Sequence, residues 1–236
     1  MFGHRAVLAA IAARPGDLRR VLCTAAVRRE AEAALRAAPA RVQCEVLEDG
    51  ALIRACGSPQ AEGLCAFMAP RRFASAVDLA DRLVSRGGVA IAFDRVRNPY
   101  NIGAILRTAA FFGLHGAVLG APAPHPALPP DAVRVAEGGA EHLMLTRTTD
   151  LADTLTRFRS RGITVLGAES EDAEPALGRR YPRPVVLVVG HEREGVSERV
   201  RASCDGVVGL VGAGAVRSLN VAVAASILIA ELTRKT

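Results

Sequence analysis

The chain has 236 residues, 50% hydrophobic and 4% aromatic, enough for one large core or one medium and one small core built mainly from Ala, Val, Leu and Ile. Almost every basic residue is Arg, and the formal charge of +6 with a pI near 9.6 suits a polyanionic partner. Five dispersed cysteines without a C-x-x-C pair and five histidines without ligand spacing argue against a disulfide framework or a metal site, and fit reduced thiols in a cytoplasmic protein.

The opening "MFGHRAVLAAIAARPGD" reads as an amphipathic first helix rather than a leader, because Arg14 follows the apolar run too soon. Residues 1–69 then alternate: helix in "AVLAAIAA", strand in "RRVLCTAA", helix in "REAEAALRAA", and strands in "RVQCEVLE" and "GLCAFMA". That pattern predicts a small α/β domain. Pro70, Arg71 and Arg72 begin a linker, and 70–87 ends in a short helix before Gly87 and Gly88. From 88 to 236 the signal is stronger. "VAIAFD" is a continuous apolar run, as expected of a strand buried on both faces of a parallel sheet, and "AVLG", "GITVLGA", "PVVLVVG" and "DGVVGLV" repeat it. Helices are predicted at 101–112, 131–138, 150–161, 195–203 and 218–234, with "APAPHPALPPD" (121–131) as a Pro-rich surface loop. The apolar run "VAVAASILIA" is too short to span a bilayer. The fold class is α/β, a parallel sheet with helices on both faces, and ligands bind such sheets beyond the strand C-terminal ends.

Three strand-end turns therefore matter, after "VAIAFD", "PVVLVVG" and "GVVGLV". The first opens "NPYNIGAILRTAAFFG". Ile102, Ile105, Leu106, Ala109 and Phe112 fall on one stripe of that helix, and Arg107 falls off it. Arg107 can be a solvent-facing residue on a helix capped by Asn101, or a group placed at the ligand edge, where free N–H donors attract phosphate. Glu192 in "VVGHEREGVS" sits in a turn closed by Gly195, favourable near a helix start or poised over a ligand. Ser218 and Asn220 open the last apolar helix, where a hydroxyl and an amide are ordinary caps. Gly212 and Gly214 tempt a dinucleotide reading, but Arg217 occupies the position where close helix–strand approach needs a small residue. Three such turns ending neighbouring strands make a denser set of polar groups than capping requires.

The pattern N-x-x-N-x-G-A-x-x-R-T-A-x-x-F-G, then G-x-E-x-x-G-V-S, then S-L-N-V-x-V-A resembles the three motifs of the SpoU (TrmH) family of RNA ribose 2′-O-methyltransferases, over roughly residues 88–236. "AEGGAEH" (136–142) is similar to a family segment rich in small residues. Residues 1–69 resemble the L30e-like substrate-binding domain that precedes many family catalytic domains. The resemblance implies a C-terminal trefoil knot in a SPOUT-type sheet, a homodimer sharing its active sites, an RNA substrate and S-adenosylmethionine as cofactor, with no metal and no membrane. It puts the catalytic positions at Asn101, Arg107, Glu192, Ser218 and Asn220, and the cofactor at Gly190, Leu210, Gly212 and Leu219. It also brings Arg107 near the partner subunit's cofactor.

The implied reaction moves a methyl group from the sulfonium to a ribose 2′-hydroxyl of transfer RNA or ribosomal RNA. A guanidinium stays protonated in ordinary surroundings, so gripping a phosphate suits Arg107 at least as well as acting as the base. The family's usual Ile-Pro-Met is Leu210-Val211-Gly212 here, which frees the backbone and points to altered cofactor affinity. A non-catalytic RNA-binding protein on the same scaffold is the alternative.

Overall fold

A computed structural model describes the chain except residues 39–41, 121–127, 171–172, 217 and 235–236. The amino-terminal elements are α1 (His4–Ala13), β1 (Leu18–Cys23), α2 (Arg28–Ala34), β2 (Cys44–Val46), α3 (Asp49–Cys56) and β3 (Leu64–Met68). β1 is central in a three-stranded sheet, parallel to β2 and antiparallel to β3. Val7 and Ile11 of α1 pack with Leu18, Val21 and Leu64 beneath that sheet. α3, a single amphipathic helix ended by Gly57 in the left-handed region, falls where no helix is expected from the sequence. β2 is shorter than expected, and Arg41 of that segment lies outside the described residues.

The chain continues through α4 (Ala76–Arg86), β4 (Val89–Phe93), α5 (Pro99–Phe111), β5 (Gly116–Leu119), α6 (Pro130–Val135), β6 (Met144–Arg147) and α7 (Leu151–Ser160). It ends with β7 (Thr164–Ala168), β8 (Glu174–Pro175), β9 (Val185–Val189), α8 (Glu198–Arg201), β10 (Gly206–Gly209) and α9 (Val221–Thr233). The seven-stranded sheet has the order β6-β5-β4-β9-β7-β10-β8, and every neighbouring pair is parallel.

Every residue of β4 and β9 is buried, which is why their sequences are unbroken apolar runs. Alternate side chains serve opposite faces. Ile91, Phe93, Leu187 and Val189 meet Ile105 and Leu106 of α5 and Leu228 and Ile229 of α9. Ala90, Ala92, Val186 and Val188 meet Leu79 and Leu83 of α4 and Leu155 and Phe158 of α7. Among the described residues, no helix is long and apolar enough to cross a membrane.

Several expectations are corrected. β6 and β8, both edge strands, carried no signal that was recognised; β8 has only two residues, one of them proline. The helix expected at 131–138 ends at Val135, because Glu137 takes a left-handed conformation. The Pro-rich loop lies largely outside the described residues, and the segment's end, from Pro130, is the start of α6. Phe112 is the C-cap of α5 and is exposed, not part of its core stripe. The turns of interest do not end three neighbouring strands, since β7 runs between β9 and β10.

Candidate active site

The cap of α5 is Asn98, whose Oδ1 accepts from the Tyr100 amide at 2.9 Å with Pro99 at the first helical position. Asn101 is thus not a cap. It lies in the first turn, buried, and its Nδ2 donates to Glu192 Oε1 at 2.9 Å. Its Oδ1 accepts from Asn220 Nδ2 at 3.2 Å, while Asn220 Oδ1 caps α9 through the Ala222 amide at 2.8 Å. One chain of hydrogen bonds therefore runs from the last helix through α5 to the turn after β9. Ser218 stands three residues ahead of α9 rather than inside it.

That turn is built tightly. His191 and Gly195 exchange backbone hydrogen bonds at 2.9 Å each, and Gly195 has φ 68°. A Cβ on Gly190 would overlap the Gly195 carbonyl and the Val196 nitrogen, so only glycine lets the two strands of the turn meet. Buried Asp94, directly after β4, accepts from the Ser197 amide at 2.6 Å. Arg95 donates to Gly195 O at 3.3 Å and pairs with Glu194, holding that carboxyl below the usual range. Glu169, directly after β7, accepts from the Val196 amide at 3.2 Å. Asp94 and Glu169 are not among the residues expected at the site from the sequence. Their common signal is an acid immediately after a buried strand.

A cavity of about 380 Å³ opens at this edge. Gly190, Glu192, Leu210, Gly212, Ser218 and Leu219 of the predicted set line it, joined by Glu169. Its size suits a small organic ligand, and its walls mix apolar side chains with turn backbone. Nothing stands within 4 Å of where a Gly212 side chain would begin. Asn101, Asn220 and Arg107 are not among the lining residues. Asn101 and Asn220 tie the rim together; Arg107 is 53% exposed and pairs with Glu137 at 2.9 Å. Arg217 lies outside the described residues. No group of three or more His, Cys, Asp or Glu side chains is arranged to hold a metal among the described residues.

Together these features define a parallel α/β protein with a small-ligand cavity roofed by the loops after β7, β9 and β10. The sequence profile of the SpoU rRNA Methylase family matches residues 88–230. A protein of Escherichia coli O157:H7 named as an uncharacterized tRNA/rRNA methyltransferase, YfiF, is 31% identical over 247 aligned positions, covering 100% of this chain and 68% of that one. The SpoU methyltransferase AviRb from Streptomyces viridochromogenes, solved with its cofactor AdoMet, is 25% identical with a TM-score of 0.77, covering 99% of this chain and 88% of its own. A structure described as giving insight into 2-OH methylation of C/U34 on tRNA is 25% identical with a TM-score of 0.54, covering 61% of this chain and 94% of that one. The chain belongs to the SpoU family of RNA methyltransferases.

Proposed function

We propose that the protein transfers a methyl group from S-adenosylmethionine to a ribose 2′-hydroxyl of transfer RNA or ribosomal RNA, acting as a cytoplasmic homodimer. The observation that carries this reading is the hydrogen-bond chain Asn220–Asn101–Glu192, which joins all three motif turns at the rim of one cavity. The AdoMet complex of AviRb and the relative described for 2-OH methylation support the cofactor and the acceptor atom.

The cavity fits the cofactor by its volume and lining. Backbone at Gly190, Leu210, Gly212 and Leu219 would hold it, with Ser218 at the same wall. Bound S-adenosylmethionine supplies a methyl carbon already activated by a sulfonium. What remains for the chain is alignment, so that the ribose oxygen, methyl carbon and sulfur lie in line, and disposal of the hydroxyl proton. Arg107 grips the neighbouring phosphate and stabilises the developing alkoxide as the proton leaves to solvent. Asn101 and Asn220 fix the first turns of α5 and α9, and Glu192 fixes the turn after β9. Residues 1–69 hold the RNA, 70–87 link, and 88–236 carry the chemistry, with the C-terminal segment threaded as a trefoil knot.

Arg107 serves the partner's cavity in this reading, which accounts for its place off the core stripe and outside its own pocket lining. Apolar Val223 stands exposed on α9 beside Val216, Leu219 and Ile227, which line the cavity, so a partner subunit would cover apolar surface at the cavity's edge.

The test is Arg107→Ala. Calorimetric titration should show native S-adenosylmethionine binding, while 2′-O-methylation of RNA from cells lacking the gene falls by on the order of a hundredfold or more. Native turnover would defeat the assignment, and methylated bases instead of riboses would move the reaction to a different acceptor. A native chain that binds no S-adenosylmethionine would favour the non-catalytic RNA binder.

A further inference from the structure

Glu137 occupies a position where its residue type is locally unfavourable. It follows Ala136, the C-cap of α6, and its φ of 45° lies in the left-handed region. Such positions ordinarily take glycine, because a side chain there crowds the backbone. A carboxylate at a helix C-terminus also opposes the helix dipole. Both effects disfavour glutamate here.

The side chain reaches two guanidinium groups. Its Oε1 lies 2.9 Å from Arg107 Nη1, and its Oε2 accepts from Arg5 Nη1, on α1, at 2.8 Å. The turn that carries it is seated on the backbone of α5: a Cβ on Gly139 would stand 3.0 Å from Arg107 Cα and 3.0 Å from Leu106 O. Side chains of Glu137, Arg107 and Arg5 are 33%, 53% and 72% exposed. Ion pairs this open to water add little to stability, so fold stability does not account for the residue.

We propose that Glu137 is a positioning residue that presents Arg107 to the RNA. It pairs with the guanidinium at Nη1 and leaves the other N–H donors for phosphate and the 2′-oxygen, while Arg5 anchors the second carboxylate oxygen. The inference rests on the reading of Arg107 given above. A free arginine has many rotamers, and ordering it in advance removes that cost from the chemical step. The benefit therefore belongs in kcat and not in cofactor binding.

The experiment compares Glu137→Gly, Glu137→Gln, Arg5→Ala and Arg107→Ala in the full chain, using labelled S-adenosylmethionine and total RNA from cells lacking the gene. Glu137→Gly should keep or raise Tm, since glycine relieves both local penalties. It should bind S-adenosylmethionine as the native chain does, keep KM for RNA within about twofold, and lose kcat by on the order of tenfold. Glu137→Gln, which retains an acceptor oxygen without the charge, and Arg5→Ala should fall between. Native kcat in both Glu137 variants, beside an inactive Arg107→Ala, would overturn the proposal. So would a kcat loss matched by equal losses of Tm and cofactor binding. If Glu137→Gly fails to fold, Glu137→Gln decides on the same criteria. Native turnover in Arg107→Ala would instead sink the underlying reading of Arg107, and the proposal with it.

Discussion

Asn101 shows how one amide can join two turns. Its nitrogen can only donate and its oxygen can only accept, and both are in use, toward Glu192 and Asn220 respectively. Asn101→Asp keeps the shape but replaces the donor by an acceptor facing a second carboxylate. We expect it to lower unfolding free energy at pH 7 by on the order of 2 kcal/mol, because like charges meet in a half-buried place and a donor is lost. Urea melts at pH 7 and pH 4.5 check this: protonating one carboxyl restores a donor, so the deficit should shrink at the lower pH. An equal deficit at both pH values would show that charge and donor loss are not its cause. Asn101 also marks where residue-level sequence reading stopped. An asparagine at a helix start is more often a cap than a network member, and here Asn98 takes the cap, leaving Asn101 free for other partners.

At the scale of elements, legibility followed burial and length. β4 and β9 were readable because burial on both faces demands apolar residues at every position. α4 was readable from its end at Gly87, and the structure adds a capping box at its start. Ser75 Oγ accepts from the Asp78 amide at 3.1 Å, Asp78 returns a bond to the Ser75 amide at 3.2 Å, and Gly87 ends the helix at φ 55°. Ser75→Ala should therefore cost about 1 kcal/mol of stability while leaving methyl transfer unchanged, since α4 packs on the sheet face opposite α5 and α9. Thermal melts and a turnover assay test both halves of that expectation. β6 and β8 were not readable: a short edge strand needs no full apolar run, and its pairing is set by the neighbour it meets. α8 is only four residues long, shorter than its predicted span, because the preceding turn uses its backbone to bond Asp94 and Glu169.

Across the whole molecule, the amino-terminal elements and the large sheet meet at a buried carboxylate. Glu141, with its side chain 2% exposed, accepts from Arg14 Nε at 3.0 Å and pairs with Arg71, which also donates to Ala140 O at 3.3 Å. Glu141→Ala would leave the largely buried Arg71 guanidinium without its carboxylate partner, while Arg14 keeps Asp17 at 2.9 Å. We expect a loss on the order of 3 kcal/mol, measured by denaturant melts, because an uncompensated buried charge costs far more than an exposed pair gains. A change below about 0.5 kcal/mol, the level of an ordinary surface substitution, would show that this contact does not bind the two parts.

The amino-acid sequence by itself determined the α/β class, the main buried strands and two of the turns, after β9 and β10, that line the cavity. Those features follow from periodicity, local caps and residue type, which act within a few positions along the chain. Only the tertiary structure decided that β7 separates two of those strands, that Glu169 joins the cavity, and that Asn101 bonds Asn220 across 119 positions. It also decided that Arg5 and Arg107 converge on Glu137. Such pairings depend on which elements pack together, and that is fixed by the burial of whole faces rather than by any short stretch of chain.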